Sequence, residues 1–488
     1  MKIIFSLLFL ALLGLFGVLV YNTFQFPSKQ VQVEPVSELP IQKDSAITRF
    51  SNALNFKTTS LSAFTGNTEE MLKLHEYLAQ VFPKTHAALT REVVGAASLL
   101  YTWKGTDTTL KPLVLMGHID VVPVIPGTEE KWTHPPFAGK VAGGYVWGRG
   151  AMDDKSTVMG VLEAVEMLLD RGFQPKRTVM LAFGHDEEVG GMRGAKRMTD
   201  MFREKNMTFE YVIDEGGAIV ENTVPGIAGA VALVGVAEKG YLSVELSAEA
   251  AGGHSSMPPP STAVGTLAEA IAALQKNPLP ASLGKVNREF FAYIGPEMPF
   301  FQRLAFANLW LLEPLVVRVL SESPQGNAIV RTTTAPTMLE ASVKDNVLPI
   351  KASAVVNFRI HPDDSIGTVF AHIRKVTNNP DLKLKIYEGS GSVNPSRVSS
   401  TTSSAFQLLN KTIRQLYPSA VVAPYLVLGG TDAKHYVGLS DNIYRFSPFQ
   451  FAKDDMSRAH GTDERMSVES YLKGIQFYCR LLQNSNEL

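Results

Sequence analysis

The chain has 488 residues, 45% of them apolar and 19% charged, enough for two or three domains around a large core. Its formal net charge of −1 gives no electrostatic footprint for nucleic acid, which is excluded as a partner. Cys479 is the one cysteine, so an intrachain disulfide and any multi-thiolate site are excluded, and a metal would have to be held by His, Asp and Glu.

After Lys2 the run Ile3 to Val20 carries no charge, its apolarity broken by Ser6, Gly14 and Gly17. A helix of ~18 residues is at the short end for a bilayer span and long for the core of a signal peptide. Residues 1–21 are therefore expected to be a signal anchor or a signal peptide, with a buried core helix as the remaining alternative. Tyr21-Asn22-Thr23-Phe24 follows directly and offers no small-x-small cleavage pattern. Lys2 on the short side favours a cytoplasmic N-terminus, which leaves the bulk of the chain extracytoplasmic, membrane-anchored or secreted.

Residues 22–45, rich in Pro, Gln, Val and Ser without helical period, are expected to form a tether. Helices and strands then alternate: a helix at 69–81, a strand at 112–116, a helix at 158–169, a strand at 178–183, a helix at 194–205 and a strand at 211–213. That order predicts an α/β layer, a central sheet flanked by helices. After Gly240 the order becomes strand 241–248, helix 262–275, strands 332–341 and 352–360, helix 365–376 and strand 382–387. It suffices for a separate α+β domain with a four-stranded sheet. The expected division is 46–239 for the first part of the main domain, 240–388 for the insert and 389–488 for the second part. Within the insert, 290–320 is dense in Phe, Leu and Val and includes Trp310, while Arg303, Glu313 and Arg318 argue against a second span. Packing inside the smaller domain is the first reading of that stretch, and a surface for apolar substrate or membrane the second.

Five segments concentrate ligand chemistry, most of them at or just past a strand end, where open α/β sheets bind ligands. They are Gly117-His118-Ile119-Asp120; Gly148 to Lys155, with Asp153-Asp154; His185-Asp186-Glu187-Glu188; Asp214-Glu215-Gly216-Gly217; and Ser457 to Glu464, with His460. Each alone also reads as an N-cap, a turn or a solvated loop. Together they balance charge: Asp153, Glu188, Asp214 and a hydroxide offset two Zn²⁺ ions, with His118 and His460 as neutral imidazoles. These donors suit zinc, and Mn²⁺ or Co²⁺ also. Asp120 is placed to orient His118, and Glu187 is left free to act as a base.

The motifs GHIDVVPV, WGRGAMDDK, AFGHDEEVGG, VIDEGG, GGHSSMPP, NAIVRTTTAPTML, NFRIHP, LGGTDAKHY and SRAHGTDER occur in this order. From about residue 45 to the C-terminus the chain thereby resembles the di-zinc metallopeptidases that include aminoacylase-1, carboxypeptidase S and glutamate carboxypeptidase. Within them it is most similar to the secreted N-fatty-acyl-amino-acid synthase/hydrolase branch. The resemblance implies a zinc-binding α/β domain with an inserted lid, used for dimerisation in the family. It also implies Asp153 as the carboxylate bridging two zinc ions, with His118 and Asp214 completing one and Glu188 and His460 the other. Members like aminoacylase-1 have Glu where Asp214 is assigned, whereas members like carboxypeptidase S also have Asp there, and Glu215 stands next to it. Asp120 is the implied supporting acid, Glu187 the proton acceptor, and His254 the oxyanion stabiliser offered from a lid, often a partner's. Arg359 would grip the substrate carboxylate, with Asn327, Gly429, Gly430 and Thr431 helping to hold the substrate.

The activity so implied is zinc-dependent hydrolysis of an N-acyl amino acid, reversible and open to fatty acyl groups. A carboxypeptidase or dipeptidase acting on short peptides is the alternative on the same atoms. A non-catalytic receptor-like homologue is the alternative from another class, and it would predict lost ligands.

Overall fold

The computed structural model describes residues 1–62, 65–389 and 391–488. Its centre is a ten-stranded mixed sheet. Strands Val179–Gly184, Leu113–His118, Val212–Asp214 and Ile443–Arg445 lie parallel to one another in the middle, so their carboxyl ends open on one crevice. Ser98–Trp103 and Thr90–Val94 extend the sheet antiparallel on one side. On the other side are Ala218–Glu221, Ala230–Glu238, Val421–Val427 and Gln450–Phe451.

Alternation along the strands explains the layers. In Leu113–His118, Leu113 and Leu115 face one core while Val114 and Met116 face another. Helices Lys155–Asp170 and Val468–Asn484 cover the first face through residues such as Leu162, Val165, Ile475 and Tyr478. Helix Ala195–Glu204 covers the second through Met198 and Phe202. Both faces are dry, so the parallel strands read as continuous apolar runs.

The chain leaves this sheet at Glu238 and enters the second at Gly240. The second sheet is antiparallel, in the order Thr333–Glu340, Lys351–Ile360, Gly240–Glu249, Lys383–Ile386. Gly240 pairs with Ile360 and Glu249 with Lys351, a full ten-residue register. Helices Ala263–Lys276 and Ile366–Thr377 pack on one face, burying Leu267, Leu274, Val369 and Ile373 against Leu242, Val244, Val356 and Phe358. This is the α+β lid architecture expected from the order of elements.

Two expectations need correction. Residues 285–330 form helices Lys285–Ile294, Phe300–Ala307, Leu309–Ser321 and Pro324–Val330, and they do not pack within the smaller domain. Val286, Phe291, Ile294, Val316 and Val330 join the main core instead. Each large side chain so buried contributes about 1.5–3 kcal/mol, which decides the side on which the segment docks. The supposed tether is also fastened. Helix Lys2–Gln25 ends at Phe26, and the following stretch runs as a strap along the main domain. Gln30 Oε1 accepts from Val422 N at 2.8 Å and its Nε2 donates to Val422 O at 3.0 Å, while Leu39 N donates to Gln476 Oε1 at 2.9 Å.

Candidate metal centre

His118 ends the 113–118 strand. The position before it must be glycine, because a Cβ at Gly117 would stand 2.9 Å from Asp154 Oδ2. His118 Nδ1 faces the Asp120 carbonyl at 2.9 Å, leaving Nε2 directed at Asp153 Oδ1 (2.9 Å) and Glu215 Oε1 (3.4 Å). The Asp120 carboxylate is fully buried. It accepts the backbone N–H groups of Glu187 and Glu188, each at 3.2 Å, and lies 3.4 Å from His118 Nδ1. It therefore ties the end of one strand to the loop after the next.

Asp153 and Asp154 precede helix Lys155–Asp170 and are joined by a cis peptide bond. Asp153 sits between two imidazoles, its Oδ2 2.9 Å from His460 Nε2. Glu188 Oε2 lies 3.1 Å from the same His460 nitrogen. His460 adopts a φ of +59° on a loop that a buried acid anchors. Glu464 accepts from Arg149 Nη1 at 2.6 Å, Met152 N at 2.7 Å, Gly150 N at 3.0 Å and Asp153 N at 3.2 Å.

The structure thus brings His118, Asp120, Asp153, Glu188 and His460 together, with Glu187 alongside. It does not bring Asp214. That residue shares the strand side of Val212, facing the 432–436 turn, and its Oδ2 accepts the Ala433 N–H at 2.7 Å. Glu215, one residue on, reaches the cluster, its Oε1 3.4 Å from His118 Nε2. The donors form two overlapping groups, His118 with Asp153 and Glu188, and His118 with Asp154 and Glu215. In each group the ligating atoms lie within 4.8 Å of one another. Asp154 belongs to a segment that the sequence marks for ligand chemistry, whereas Glu464 and Arg149 carry no role in the sequence reading. The acid following a ligand aspartate and the SRAHGTDER segment were visible, but nothing local says that Glu464 folds under Asp153.

The electrostatics fit a cation. Burial, then the neighbouring Glu215, pushes the Glu187 carboxyl well above its ordinary range. Burial, then Asp153, does the same to Glu215, and burial raises Asp154. Hydrogen bonds donated to Asp153 and Glu188 push the His460 imidazole up to about 10. For Asp153 burial acts upward, but the bonds to His118 and His460 outweigh it and hold the carboxyl below the usual range. So many acids in one crevice compete for protons unless a divalent ion supplies the positive charge. Among the described residues, Glu188 Oε1 and Asp154 Oδ1 are buried without a hydrogen-bond partner.

The lid residues stand apart. His254 is exposed on the short strand Gly253–His254, its Nδ1 2.8 Å from Ser256 Oγ. Arg359 is half-buried and stacked over the Tyr241 ring at 4.7 Å. Asn327 is half-buried near the start of helix Pro324–Val330. Gly429 and Gly430 are exposed, whereas the Thr431 hydroxyl is buried, donating to Glu238 Oε1 at 2.6 Å and accepting from Ala433 N at 3.2 Å. That side chain holds its own turn.

A family model described as peptidase family M20/M25/M40 matches residues 114–484. A carboxypeptidase S-like protein of Dictyostelium discoideum is 43% identical over 98% of this chain and 93% of its own length. The N-fatty-acyl-amino acid synthase/hydrolase PM20D1 of Xenopus tropicalis is 37% identical over 91% and 86%. Among solved structures, an M20 family metallo-carboxypeptidase from Sulfolobus solfataricus superposes with a TM-score of 0.64. That match has 20% identity and covers 91% of this chain and 99% of that one.

Proposed function

The chain belongs to peptidase family M20/M25/M40 and is a metallohydrolase, and from that premise we propose that it cleaves N-acyl amino acids, fatty acyl ones included, to release a free amino acid. The observation that carries the reading is the convergence of His118, Asp153, Glu188, Glu215 and His460 on one crevice, with the unprotonated-or-protonated choice of Glu187 set by its burial beside them.

In this proposal zinc would be held by Asp153 together with His118, Glu215, Glu188 and His460. When bound, zinc acts as a Lewis acid toward the scissile carbonyl and the attacking water. Glu187 takes the proton that water loses as its oxygen bonds to the carbonyl carbon. It returns that proton to the nitrogen as the C–N bond breaks, so acid and base are one group used twice. Asp120 fixes the backbone from which Glu187 and Glu188 project. Arg359, a planar fork on the lid, suits the free carboxylate of the amino acid. His254, exposed and bonded to Ser256, fits a role offered to the centre of a second copy, and so favours a homodimer. The same steps in reverse join a fatty acid to an amino acid where lipid is concentrated. Helix Lys2–Gln25, 24 residues with a mean hydropathy of 2.9 in its most apolar stretch and none of that stretch buried, supports retention as a membrane anchor.

The carboxypeptidase reading is favoured by the 43% identity with the carboxypeptidase S-like relative and uses the same residues. Full-length enzyme in detergent, loaded with zinc, is given oleoyl-phenylalanine or carbobenzoxy-Gly-Leu. Faster release of phenylalanine supports the amidase reading, faster release of leucine transfers the assignment to carboxypeptidase, and turnover of neither removes both. Glu187→Gln is expected to lower kcat by about 10²–10⁴-fold with metal content unchanged. Retained turnover would take the proton transfers away from Glu187.

A further inference from the structure

Helices Phe300–Ala307 and Leu309–Ser321 meet at a bend of 117°, with Asn308 at the corner. Leu309, Val316, Val317 and Leu320 of the second helix pack on the main core. Its opposite side is largely apolar too, with Arg318 exposed beside it near the helix end, where a cation meets headgroup phosphates. Leu311, Leu315 and Val319 follow one another at four-residue spacing, and the last two are 56% and 57% exposed. Trp310 is 63% exposed and Phe301 on the first helix 82%. A helix that is apolar on both sides has both sides covered, and here the protein covers one. Glu313, the acid within the second helix, is withdrawn into an ion pair with Arg288 at 2.6 Å.

The position of the corner identifies what covers the other. Asn308 is fully buried and clamps the end of the N-terminal helix. Its Nδ2 donates to Leu19 O at 3.0 Å, and its Oδ1 accepts from Asn22 Nδ2 at 2.9 Å. Arg303 Nη2 donates to Phe26 O at 2.9 Å, and the Phe24 ring lies 6.1 Å from that of Phe300. The apolar run from Ile3 ends at Val20, so the clamp falls where a helix spanning a ~30 Å hydrocarbon layer leaves it. Trp310 Nε1 donates to Asn308 Oδ1 at 3.3 Å while its ring stays outside, the half-wet placement that tryptophan takes at membrane interfaces.

We propose that this helical elbow is an interfacial membrane-binding surface, its outward face seated in the lipid bilayer beside the enzyme's own N-terminal span. The proposal rests on the reading of that span as retained. With two contacts the catalytic domain is held at a fixed orientation and lies against the layer in which apolar acyl chains dissolve.

The test uses the full chain reconstituted into phosphatidylcholine vesicles whose acyl chains are brominated near the headgroup. Trp310 is one of four tryptophans, the others being Trp103, Trp132 and Trp147 in the main domain. The expected result is a loss of emission relative to unbrominated vesicles, and disappearance of most of that loss in Trp310→Phe. Equal quenching of the parent and Trp310→Phe in protein that floats with vesicles overturns the elbow and leaves the anchor standing. Unquenched emission that instead shifts with protein concentration assigns the face to a second copy and likewise overturns it. Protein that does not float after an alkaline wash removes anchor and elbow together, while the soluble amidase assay is untouched.

Discussion

At Asp214 and Glu215 two adjacent acids have different fates because neighbouring side chains on a strand leave on opposite sides. Asp214 turns to the helix-covered face and takes the Ala433 N–H, while Glu215 reaches His118. Glu215→Ala is therefore expected to lower zinc content or affinity at one of the two positions, by 10-fold or more, with little change in thermal midpoint of the metal-free protein. Asp214→Ala removes the shorter of two acceptors at the Ala433 N–H and leaves Thr431 Oγ1 at 3.2 Å, so it costs about 0.5–1.5 kcal/mol and keeps the metal. Elemental analysis beside thermal unfolding reads both, and the reverse pattern would restore Asp214 as the ligand.

Among the elements, the turn from Gly148 to Asp154 depends on a residue more than 300 positions away. The Glu464 carboxylate receives four donors from it: Arg149 Nη1 and the N–H groups of Gly150, Met152 and Asp153. Arg149 is itself buried and donates onward to the Gly461 carbonyl at 3.0 Å, next to His460. One ion pair therefore shapes both loops that supply ligands. Removing one partner strands the other charge, so Glu464→Ala is expected to lose about 3–5 kcal/mol of stability. Zinc binding should weaken with it, since Asp153 and His460 lose their common support. A calorimetric zinc titration of the variant that matches the parent would confine Glu464 to folding alone.

Taken whole, the molecule is two sheets joined through Lys239. Its ammonium, between the last main-sheet residue and the first of the lid, donates to Ala328 O and Arg331 O, each at 2.8 Å. Burial, and then the Arg359 guanidinium, pushes its pKa down to about 7. In the unfolded chain the group titrates near ~10.4, so between these values the unfolded chain binds more protons and folding is favoured as pH rises. Below about pH 7 both forms are charged and the penalty is complete. The parent should gain thermal stability relative to Lys239→Met on going from pH 6 to pH 9. A gap independent of pH would show that the joint does not titrate.

The sequence by itself determined the elements and the chemistry. The continuous apolar run in Leu113–His118, the alternation in Gly240–Glu249 and the helical spacing of Lys155–Asp170 are local properties that survive in the fold within a few residues. Acids and imidazoles past strand ends announced a cation site, because like charges gather in a dry crevice when a counter-charge holds them. Only the tertiary structure decided which of Asp214 and Glu215 faces that crevice, that Thr431 turns inward, and that residues 285–330 dock on the main domain. Those outcomes depend on strand register, on distant partners such as Ala433 and Glu238, and on which of two apolar surfaces a helix meets. None of these is encoded in the spacing of neighbouring residues.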